Sequence, residues 1–255
     1  MLDFYRFSHF QNNDTLVHAI TTKSKQFSHD CSLALHTGEK RSNILSNRHA
    51  IAKEIGKNNF HFIVANQTHS DNIYIVSDKI TRGWNTLESA IQNCDALVTN
   101  QSNIFLSILT ADCVPILLFD PIQNVIAAIH AGWKGTQKEI ASKTVSKMSQ
   151  VFSCDPKNIL AGIAPSIGKC CYEVGIDVAQ HFLDTPQGLK SIGKKYMLDL
   201  PHINKQQLLN MGILEENIEM SQICTACEVA RFFSYRKEAG CSGRFMSMIA
   251  LKGIK

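Results

Sequence analysis

Apolar residues along this chain form short runs that predict β-strands, and a few other stretches repeat apolar positions at helical spacing. Strands are predicted over residues 15–20, 60–65, 73–77, 104–109, 114–119, 124–129, 158–164, 232–236 and 245–251. Helices are predicted over residues 43–55, 140–151, 173–183 and 204–211. This irregular alternation predicts a mixed α/β (α+β) architecture rather than a doubly wound Rossmann sheet. The chain contains no Gly-x-Gly-x-x-Gly or Walker-type loop.

One predicted helix carries a charged residue on its apolar side. The helix over residues 43–55 is expected to stop at Gly56, and Arg48 falls on its apolar face between Ile44 and Ile51. An arginine in such a place either extends its charged end to solvent or pairs with an anion. The sequence leaves both interpretations open.

The composition is that of a globular protein with a substantial core. The chain has 255 residues, 44% of them hydrophobic and 19% charged, and no linker divides it, although the length permits one large domain or two small ones. No apolar run approaches the roughly 20 residues that span a bilayer, and the N-terminus lacks the order of a secretion signal. We therefore expect a cytoplasmic protein with no membrane partner. The formal charge of +4 favours small anionic substrates, and the absence of a dense Lys/Arg block argues against nucleic acid.

The cysteine content indicates free thiols in a reducing compartment. There are nine cysteines, an odd number, in a long chain without a visible export signal. Cys224 and Cys227 form a C-x-x-C motif without a second such pair, so a zinc ribbon is not expected. Cys170 and Cys171 are adjacent, and we expect one to be buried and the other exposed rather than both to bind one tetrahedral ion.

Three residues with metal-binding side chains each lie where an apolar run stops. His69 closes Gln67-Thr68-His69, Cys113 follows the run over residues 104–109 by a few positions, and His130 begins His130-Ala131-Gly132. Imidazole and thiolate are ligands that zinc prefers, and three such ligands leave a fourth position open, as in catalytic sites. Single histidines are more often structural, and the long spacings are not those of a compact zinc finger. Convergence of the three would make this a metalloenzyme.

A glycine turn follows His130. Gly132 and Gly135 stand in this turn, and residues 136–139 have the Thr-x-x-Glu form of a capping box. The turn is therefore predicted to begin a helix, whose first N–H groups can hold an anion.

Several segments, taken in order, resemble a known family. The matching segments are Gln67-x-His69, Cys94-Asp95, residues 110–115, 130–135, 165–168 and 170–174, Asp199-Leu200, Cys224-Thr225, residues 233–236 and Gly243-Arg244. They resemble the multicopper polyphenol oxidase, or laccase-domain, family, which includes purine nucleoside phosphorylases of the YfiH/YlmD type. The resemblance runs from about His18 to the C-terminus. It implies one domain over residues 1–255, with layered mixed β-sheets flanked by helices.

The resemblance also implies a cofactor and a reaction. It implies a zinc ion (Zn²⁺) held by His69, Cys113 and His130. Ligands of this kind also bind Cu²⁺, more tightly than zinc, so copper is expected to replace it in vitro. The implied reactions are phosphorolysis of adenosine, inosine, guanosine and methylthioadenosine, together with deamination of adenosine. The expected partners are therefore purine nucleosides and phosphate, and we expect a monomer.

Further site residues are candidates for catalysis and for phosphate binding. Asp112, next to Cys113, either orients a ligand or moves a proton, or it only caps its turn. Arg48, Arg236 and Arg244 are candidates to bind phosphate, together with the N–H groups after Gly132. We place Arg48 first because a buried guanidinium needs an anion.

Three other functions stay open. A copper-dependent phenol oxidase would use the same ligands, but multicopper centres need clustered histidines and the ten histidines here are scattered. A metal-free cysteine hydrolase or amidase would use Cys113 as nucleophile and His130 as base. A zinc-stabilised binding module would need no open coordination position.

Overall fold

The structure of the protein is a computed structural model, which describes residues 2–55, 60–185, 187–240 and 243–253. The described strands are β1 (Phe4–Tyr5), β2 (Leu16–Thr21), β3 (His61–Asn66), β4 (Ile73–Ile75), β5 (Ile91–Gln92), β6 (Ala96–Thr99), β7 (Ile104–Thr110), β8 (Val114–Asp120), β9 (Val125–Ala131), β10 (Leu160–Ile163), β11 (Glu173–Val174), β12 (Leu189–Ile192), β13 (Lys195–Leu198), β14 (Ile218–Met220) and β15 (Phe245–Leu251). The described α-helices are α1 (Ser8–Gln11), α2 (Arg41–Glu54), α3 (Trp133–Gln137), α4 (Ile140–Phe152), α5 (Ile176–Ala179) and α6 (Leu200–Asn210). None of these helices has the length and apolar character needed to cross a membrane. Gly56, the predicted helix stop, lies outside the described residues.

The strands form two large sheets and one small sheet. The first sheet has the order β1-β2-β15-β7-β3-β5, and the second has the order β14-β10-β8-β9-β6-β4. The small sheet has the order β11-β13-β12. Both large sheets are mixed: β3 runs parallel to β7, whereas β15 runs antiparallel to β7, and β10 pairs parallel with β14 but antiparallel with β8. The expectation of layered mixed sheets flanked by helices, without a Rossmann arrangement, is confirmed.

The two large sheets pack against each other, and helices cover their outer faces. The layer between the sheets contains apolar side chains from both, among them Ile20, Ile63, Leu106, Ile108, Ile249, Leu97, Leu117, Phe119, Ile126 and Ala128. On the outer side of the first sheet, Phe62, Phe105 and Met248 pack with Ile51 of α2. On the outer side of the second, Ile116, Leu118 and Ile129 pack with Val145 and Met148 of α4 and Leu208 of α6. Each such side chain contributes about 1.5–3 kcal/mol when fully buried.

The central strands are continuous apolar runs in the sequence because their side chains are buried on both faces of the sheet. All seven residues of β7, β8 and β9 are buried, so these strands lack the polar alternation of a half-exposed sheet. The strands predicted over residues 104–109, 114–119 and 124–129 are therefore found within one or two residues of their predicted ends.

One predicted helix is wrong at its start, and one predicted strand is absent. Residues 173–183 were expected to form one helix, but Glu173 and Val174 pair with β13, and the helical part comprises α5 and a 3-10 helix over Gln180–Phe182. Residues 232–236 were expected to form a strand, but the backbone turns there. The N–H of Phe232 donates to the carbonyl of Glu228, and that of Glu238 donates to Ser234. Phe232 is nevertheless fully buried, against Phe245, so its apolar character reflects packing rather than sheet pairing.

The capping box expected at residues 136–139 does not form. Thr136 lies within α3, where its N–H donates to the carbonyl of Gly132. Glu139 adopts a left-handed conformation (φ 59°) before α4 and makes no side-chain cap. The helix that follows His130 is thus the short α3, with Gly132 at its N-cap.

Two connections lead the chain from the first large sheet to the second, and each carries a residue of the candidate site. Residues 67–72 join β3 of the first sheet to β4 of the second, and residues 111–113 join β7 of the first to β8 of the second. His69 and Cys113 lie in these two connections, and His130 lies on β9 beside β8. The fold therefore brings to one place three residues that are far apart in sequence.

Candidate metal centre and adjoining pocket

His69, Cys113 and His130 present their ligand atoms to a common point. One nitrogen from each histidine and the sulfur of Cys113 all lie within 4.8 Å of one another. Cys113 Sγ lies 3.8 Å from His69 Nε2, and the two imidazole rings lie 4.8 Å apart at 77°. A zinc ion about 2.3 Å from sulfur and about 2.0 Å from nitrogen would separate tetrahedral ligands by about 3.5 Å. The three side chains therefore fit such an ion with little movement.

The pairing of β8 with β9 sets the position of Cys113 relative to the following glycine. Val114 pairs with Ala131 and Pro115 with His130, so Cys113 lies beside Gly132. A Cβ atom on Gly132 would lie 2.8 Å from Cδ2 of His69 and 3.1 Å from Sγ of Cys113. Only a residue without a side chain leaves room for both ligands here.

We expect Gly132→Ala to weaken metal binding about tenfold or more, because the methyl group displaces the His69 ring and the Cys113 sulfur. Gly135→Ala is the matched control. A Cβ there meets nothing closer than 3.4 Å, and alanine favours the helix. Competition with a zinc chelator measures both affinities. If Gly132→Ala and Gly135→Ala bind zinc equally well, a side chain at position 132 does not displace the ligands.

Asp95 orients His130. Its Oδ1 lies 2.7 Å from Nδ1 of His130, and its carbonyl accepts the His130 N–H at 2.8 Å. Nδ1 of His130 therefore carries the proton that is donated to Asp95, and Nε2 is left for the common point. A carboxylate that fixes the imidazole of a metal ligand in this way is a regular feature of zinc sites.

The same carboxylate closes the loop that carries His69. Asp95, which is 0% exposed, accepts the N–H groups of Thr68, His69 and Ser70 at 3.2, 3.1 and 2.7 Å, and the Ser70 hydroxyl at 2.6 Å. These bonds hold His69 in a left-handed conformation (φ 58°). Burial raises the pKa of Asp95, but His130 and Ser70 outweigh that effect and lower it to about 2. The ionised Asp95 carboxylate thus positions two of the three ligands, His69 and His130.

A glutamine fixes the other end of this loop. The side chain of Gln67 accepts the N–H of Leu109 and donates to its carbonyl, both at 2.8 Å. It thereby continues the pairing of β3 with β7 beyond the strand end. Gln67 and Asp95 both belong to segments that resemble the family, but their functions were not predicted.

The electrostatics favour a thiolate at Cys113. Burial raises the pKa of the Cys113 thiol, but the neighbouring His130 and His69 outweigh burial and lower it to about 6. For His130, burial lowers the pKa, and Cys113 and Asp95 together raise it to about 9. The thiolate is the form that binds metal or acts as a nucleophile.

Asp112 does not face the common point as a free base. Its Oδ1 accepts the Thr225 hydroxyl at 2.6 Å, and its Oδ2 accepts the N–H of Arg236 at 2.7 Å. Asp112 itself has a φ of 87°, a conformation that few non-glycine residues adopt. These bonds favour a role in holding the turn next to Cys113 over a role in proton transfer.

A cavity of about 600 Å³ opens beside the three residues. That volume is in the range of small-molecule sites. Besides His69, Cys113 and His130, its walls include the aromatic residues Trp133, Tyr172 and Tyr235, the apolar residues Leu35, Val64, Leu87 and Leu109, and the arginines Arg48, Arg236 and Arg244.

Arg48 supports the wall of this cavity instead of facing an anion. It is 1% exposed. Nε and Nη2 donate to the carbonyl of Leu33, and Nη1 donates to the carbonyls of Gly83 and Trp84. Four of its N–H groups are thus engaged by backbone oxygens, and its guanidinium lies over the Trp84 ring. Arg48, our first candidate from the sequence, is therefore a poor phosphate ligand, because carbonyl oxygens replace the expected anion.

Arg236 and Arg244 lie on the side of the cavity formed by the C-terminal segments. Arg236 donates from Nη1 to the carbonyl of Glu173 and lies over the ring of Tyr172. Arg244 donates from Nη1 to the carbonyl of Gly243 and lies over the ring of Tyr235, 5.7 Å from its centre. Burial lowers the pKa of Arg244, and the nearby Cys113 acts in the opposite sense. Arg244 is thus a partly buried cation that lines the same cavity as Cys113.

Comparison with known proteins identifies similar chains. Residues 17–252 match the sequence model of the family described as "Multi-copper polyphenol oxidoreductase laccase". The chain is 31% identical over 252 residues to purine nucleoside phosphorylase YlmD of Bacillus subtilis, covering 95% of this chain and 91% of the relative. It is 32% identical over 225 residues to adenosine deaminase RL5 of an unknown prokaryotic organism, covering 85% of each. The crystal structure of YlmD from Geobacillus stearothermophilus superposes with a TM-score of 0.90 at 29% identity, covering 97% of this chain and 94% of that one.

Proposed function

The chain belongs to the multi-copper polyphenol oxidoreductase laccase family, and from this membership and the pocket we propose that it is a zinc-dependent purine nucleoside phosphorylase that also deaminates adenosine. The observation that carries the proposal is the ligand set of His69, Cys113 and His130 beside a cavity of about 600 Å³. The names of the relatives from Bacillus subtilis and the unknown prokaryote support the two activities.

The donor atoms favour zinc over a multicopper centre. Two imidazoles and one thiolate form a zinc-type set with one position left for a reactant. When bound, zinc would supply a Lewis acid that polarises an oxygen or nitrogen of the substrate and lowers the pKa of a water to about 7. In the part of the chain that the structure describes, no group of clustered histidines of the kind needed for a trinuclear copper centre is found.

The cavity walls suit the two halves of a nucleoside and a phosphate. The apolar side formed by Leu35, Val64 and Leu87 would take the purine. In phosphorolysis a phosphate oxygen forms a bond to ribose C1′ while the bond from C1′ to the purine nitrogen breaks, and the purine takes the electron pair and a proton. We assign the phosphate to Arg244, a partly buried cation of the cavity wall that can donate charge-assisted hydrogen bonds to phosphate oxygens.

Arg244→Ala is expected to raise the KM for phosphate about 10- to 100-fold, since a hydrogen bond to a charged group contributes about 1.5–3 kcal/mol. Deamination, which needs no phosphate, should change much less. The exposed Arg231, paired with Asp3, provides the control substitution Arg231→Ala. Steady-state kinetics at varied phosphate measure the effect, and an unchanged KM would remove Arg244 from the phosphate site.

A nucleoside panel tests the proposed function. Zinc-loaded protein is incubated with adenosine, inosine, guanosine or methylthioadenosine, with and without phosphate, and the products are separated by chromatography. We expect free purine and the sugar 1-phosphate only when phosphate is present, and inosine from adenosine in either case. If no free purine and no inosine form at micromolar enzyme, the assignment is wrong.

A metal-free cysteine hydrolase is the second candidate, because the pKa of Cys113 is lowered to about 6 beside His130. The two candidates differ in what protects the thiolate. In the zinc enzyme, alkylation of Cys113 by iodoacetamide should be slow until the metal is chelated. In the hydrolase, alkylation should be equally fast before and after treatment with the chelator.

A further inference from the structure

A second group of metal-binding side chains lies away from the three ligands. The sulfur atoms of Cys170, Cys171, Cys224 and Cys227 all lie within 4.8 Å of one another. Cys227 Sγ is 3.7 Å from that of Cys170 and 3.5 Å from that of Cys171. Four sulfurs about 2.3 Å from a tetrahedral zinc ion would be separated by about 3.8 Å. The fold therefore brings together two cysteine pairs that the sequence analysis treated separately.

Backbone pairing between two loops brings the four cysteines together. The N–H of Ser166 donates to the carbonyl of Ile223, and the N–H of Thr225 donates back to the carbonyl of Ser166. This bridge aligns Ser166 with Cys224. The contact joins residues that are more than 50 positions apart in sequence, so the spacing of a C-x-x-C motif alone could not indicate it.

The loop that carries the adjacent cysteines turns back so that both face the other pair. The N–H groups of Cys171 and Tyr172 both donate to the carbonyl of Gly168. The N–H of Gly168 points at the sulfur of Cys224, 3.3 Å away. Backbone N–H groups aimed at sulfur are the outer contacts expected around a metal-bound thiolate. This turn explains how neighbouring residues can both contribute to one tetrahedral set.

We propose that Cys170, Cys171, Cys224 and Cys227 bind a second zinc ion in a closed site with a structural function. Four thiolates fill the tetrahedron, so no position is left for a substrate. Soft thiolate ligands exclude magnesium and calcium. None of the eight cysteines in the described residues is joined in a disulfide, and four mutually close sulfurs can all bind one ion.

Such an ion would brace one wall of the cavity. Thr225 follows Cys224, and its hydroxyl holds Asp112 next to Cys113. Tyr172 follows Cys171 and lines the cavity. Each of the two loops that the ion joins therefore continues into a residue that shapes the cavity beside His69, Cys113 and His130. The ion would affect that cavity only through Thr225 and Tyr172.

Metal content of the reduced, full-length protein tests the proposal independently of any enzyme activity. We expect two zinc equivalents in the wild type, one in Cys113→Ala, one in the double variant Cys170→Ala/Cys227→Ala, and none when all three substitutions are combined. Cys154→Ala, which removes a buried thiol outside both groups, should retain two. A second equivalent that persists in the double variant, or iron in place of zinc, would overturn the proposal.

Cobalt(II) bound to the wild-type protein in place of zinc provides a second test that does not require the double variant to fold. The thiolate-to-cobalt charge-transfer band should be several times more intense than the band of a site with one cysteine ligand, and most of this intensity should remain in Cys113→Ala. Absorption that matches a single thiolate would contradict the four-cysteine site. So would peptide mapping of freshly purified protein that finds disulfides linking Cys170 or Cys171 to Cys224 or Cys227.

Discussion

Replacing Cys113 with alanine is expected to lower kcat/KM for nucleoside phosphorolysis by about 10³-fold or more. The substitution removes the only thiolate of the proposed three-ligand set. Charge stabilisation by a bound metal supplies several kcal/mol, and each 1.36 kcal/mol corresponds to a tenfold change in rate. Zinc content should fall by one equivalent, with the four-cysteine site still occupied. Steady-state kinetics and elemental analysis of the same preparation measure both effects.

Two further results would separate the explanations for such a loss. Cys154→Ala should keep full activity and full metal, because it deletes a buried thiol that lies outside the centre. If Cys113→Ala keeps all its zinc but loses activity, Cys113 is not a metal ligand and acts directly in the reaction. If it keeps both zinc and activity, Cys113 has no function in the site.

Asp95→Asn is expected to have the second largest effect, on both metal affinity and stability. The carboxylate accepts bonds from three backbone N–H groups, one hydroxyl and the His130 ring. In asparagine one of the two carboxylate oxygens is replaced by an NH₂ group, which donates hydrogen bonds and would face the N–H and hydroxyl groups that Asp95 now accepts. We expect zinc affinity to fall about 10- to 100-fold. The free energy of unfolding should fall by about 3 kcal/mol or more, because buried donors lose a charged partner.

Asp71→Asn is the matched control for that experiment. Asp71 lies in the same connection between sheets, but it forms exposed ion pairs with Lys143 and Lys138. Exposed ion pairs contribute about 0–1 kcal/mol, so urea denaturation should detect little change. If Asp95→Asn binds zinc as tightly as Asp71→Asn, Asp95 does not position the ligands.

The sequence predicted the parts of the fold in which local pattern and burial agree. The strands β7, β8 and β9 are buried on both faces, so their apolar runs are continuous. The helix α4 buries one face on the second sheet, and its helical spacing follows from that. The short β11 and the turns around Phe232 depend on distant partners, and the pattern along the chain does not contain that information.

The candidate site was only partly predictable for the same reason. His69, Cys113 and His130 were found because their chemistry and their position after apolar runs are local properties. The function of Asp95 was not predicted, because it depends on the pairing of β6 with β9 and on the path of the His69 loop. Arg48 was recognised as a buried charge, but its partners are carbonyls from other loops. Long-range contacts therefore determine which residue supports the centre and which one can meet a substrate.

Anomalous diffraction at the zinc edge, from crystals of the reduced, zinc-loaded protein, tests the central claim most directly. We predict an anomalous peak within bonding distance of Cys113 Sγ and one ring nitrogen each of His69 and His130, with its remaining position open to the cavity. A zinc-loaded crystal without a peak at that point, or with a peak bound to fewer than these three residues, would contradict the proposed metal centre.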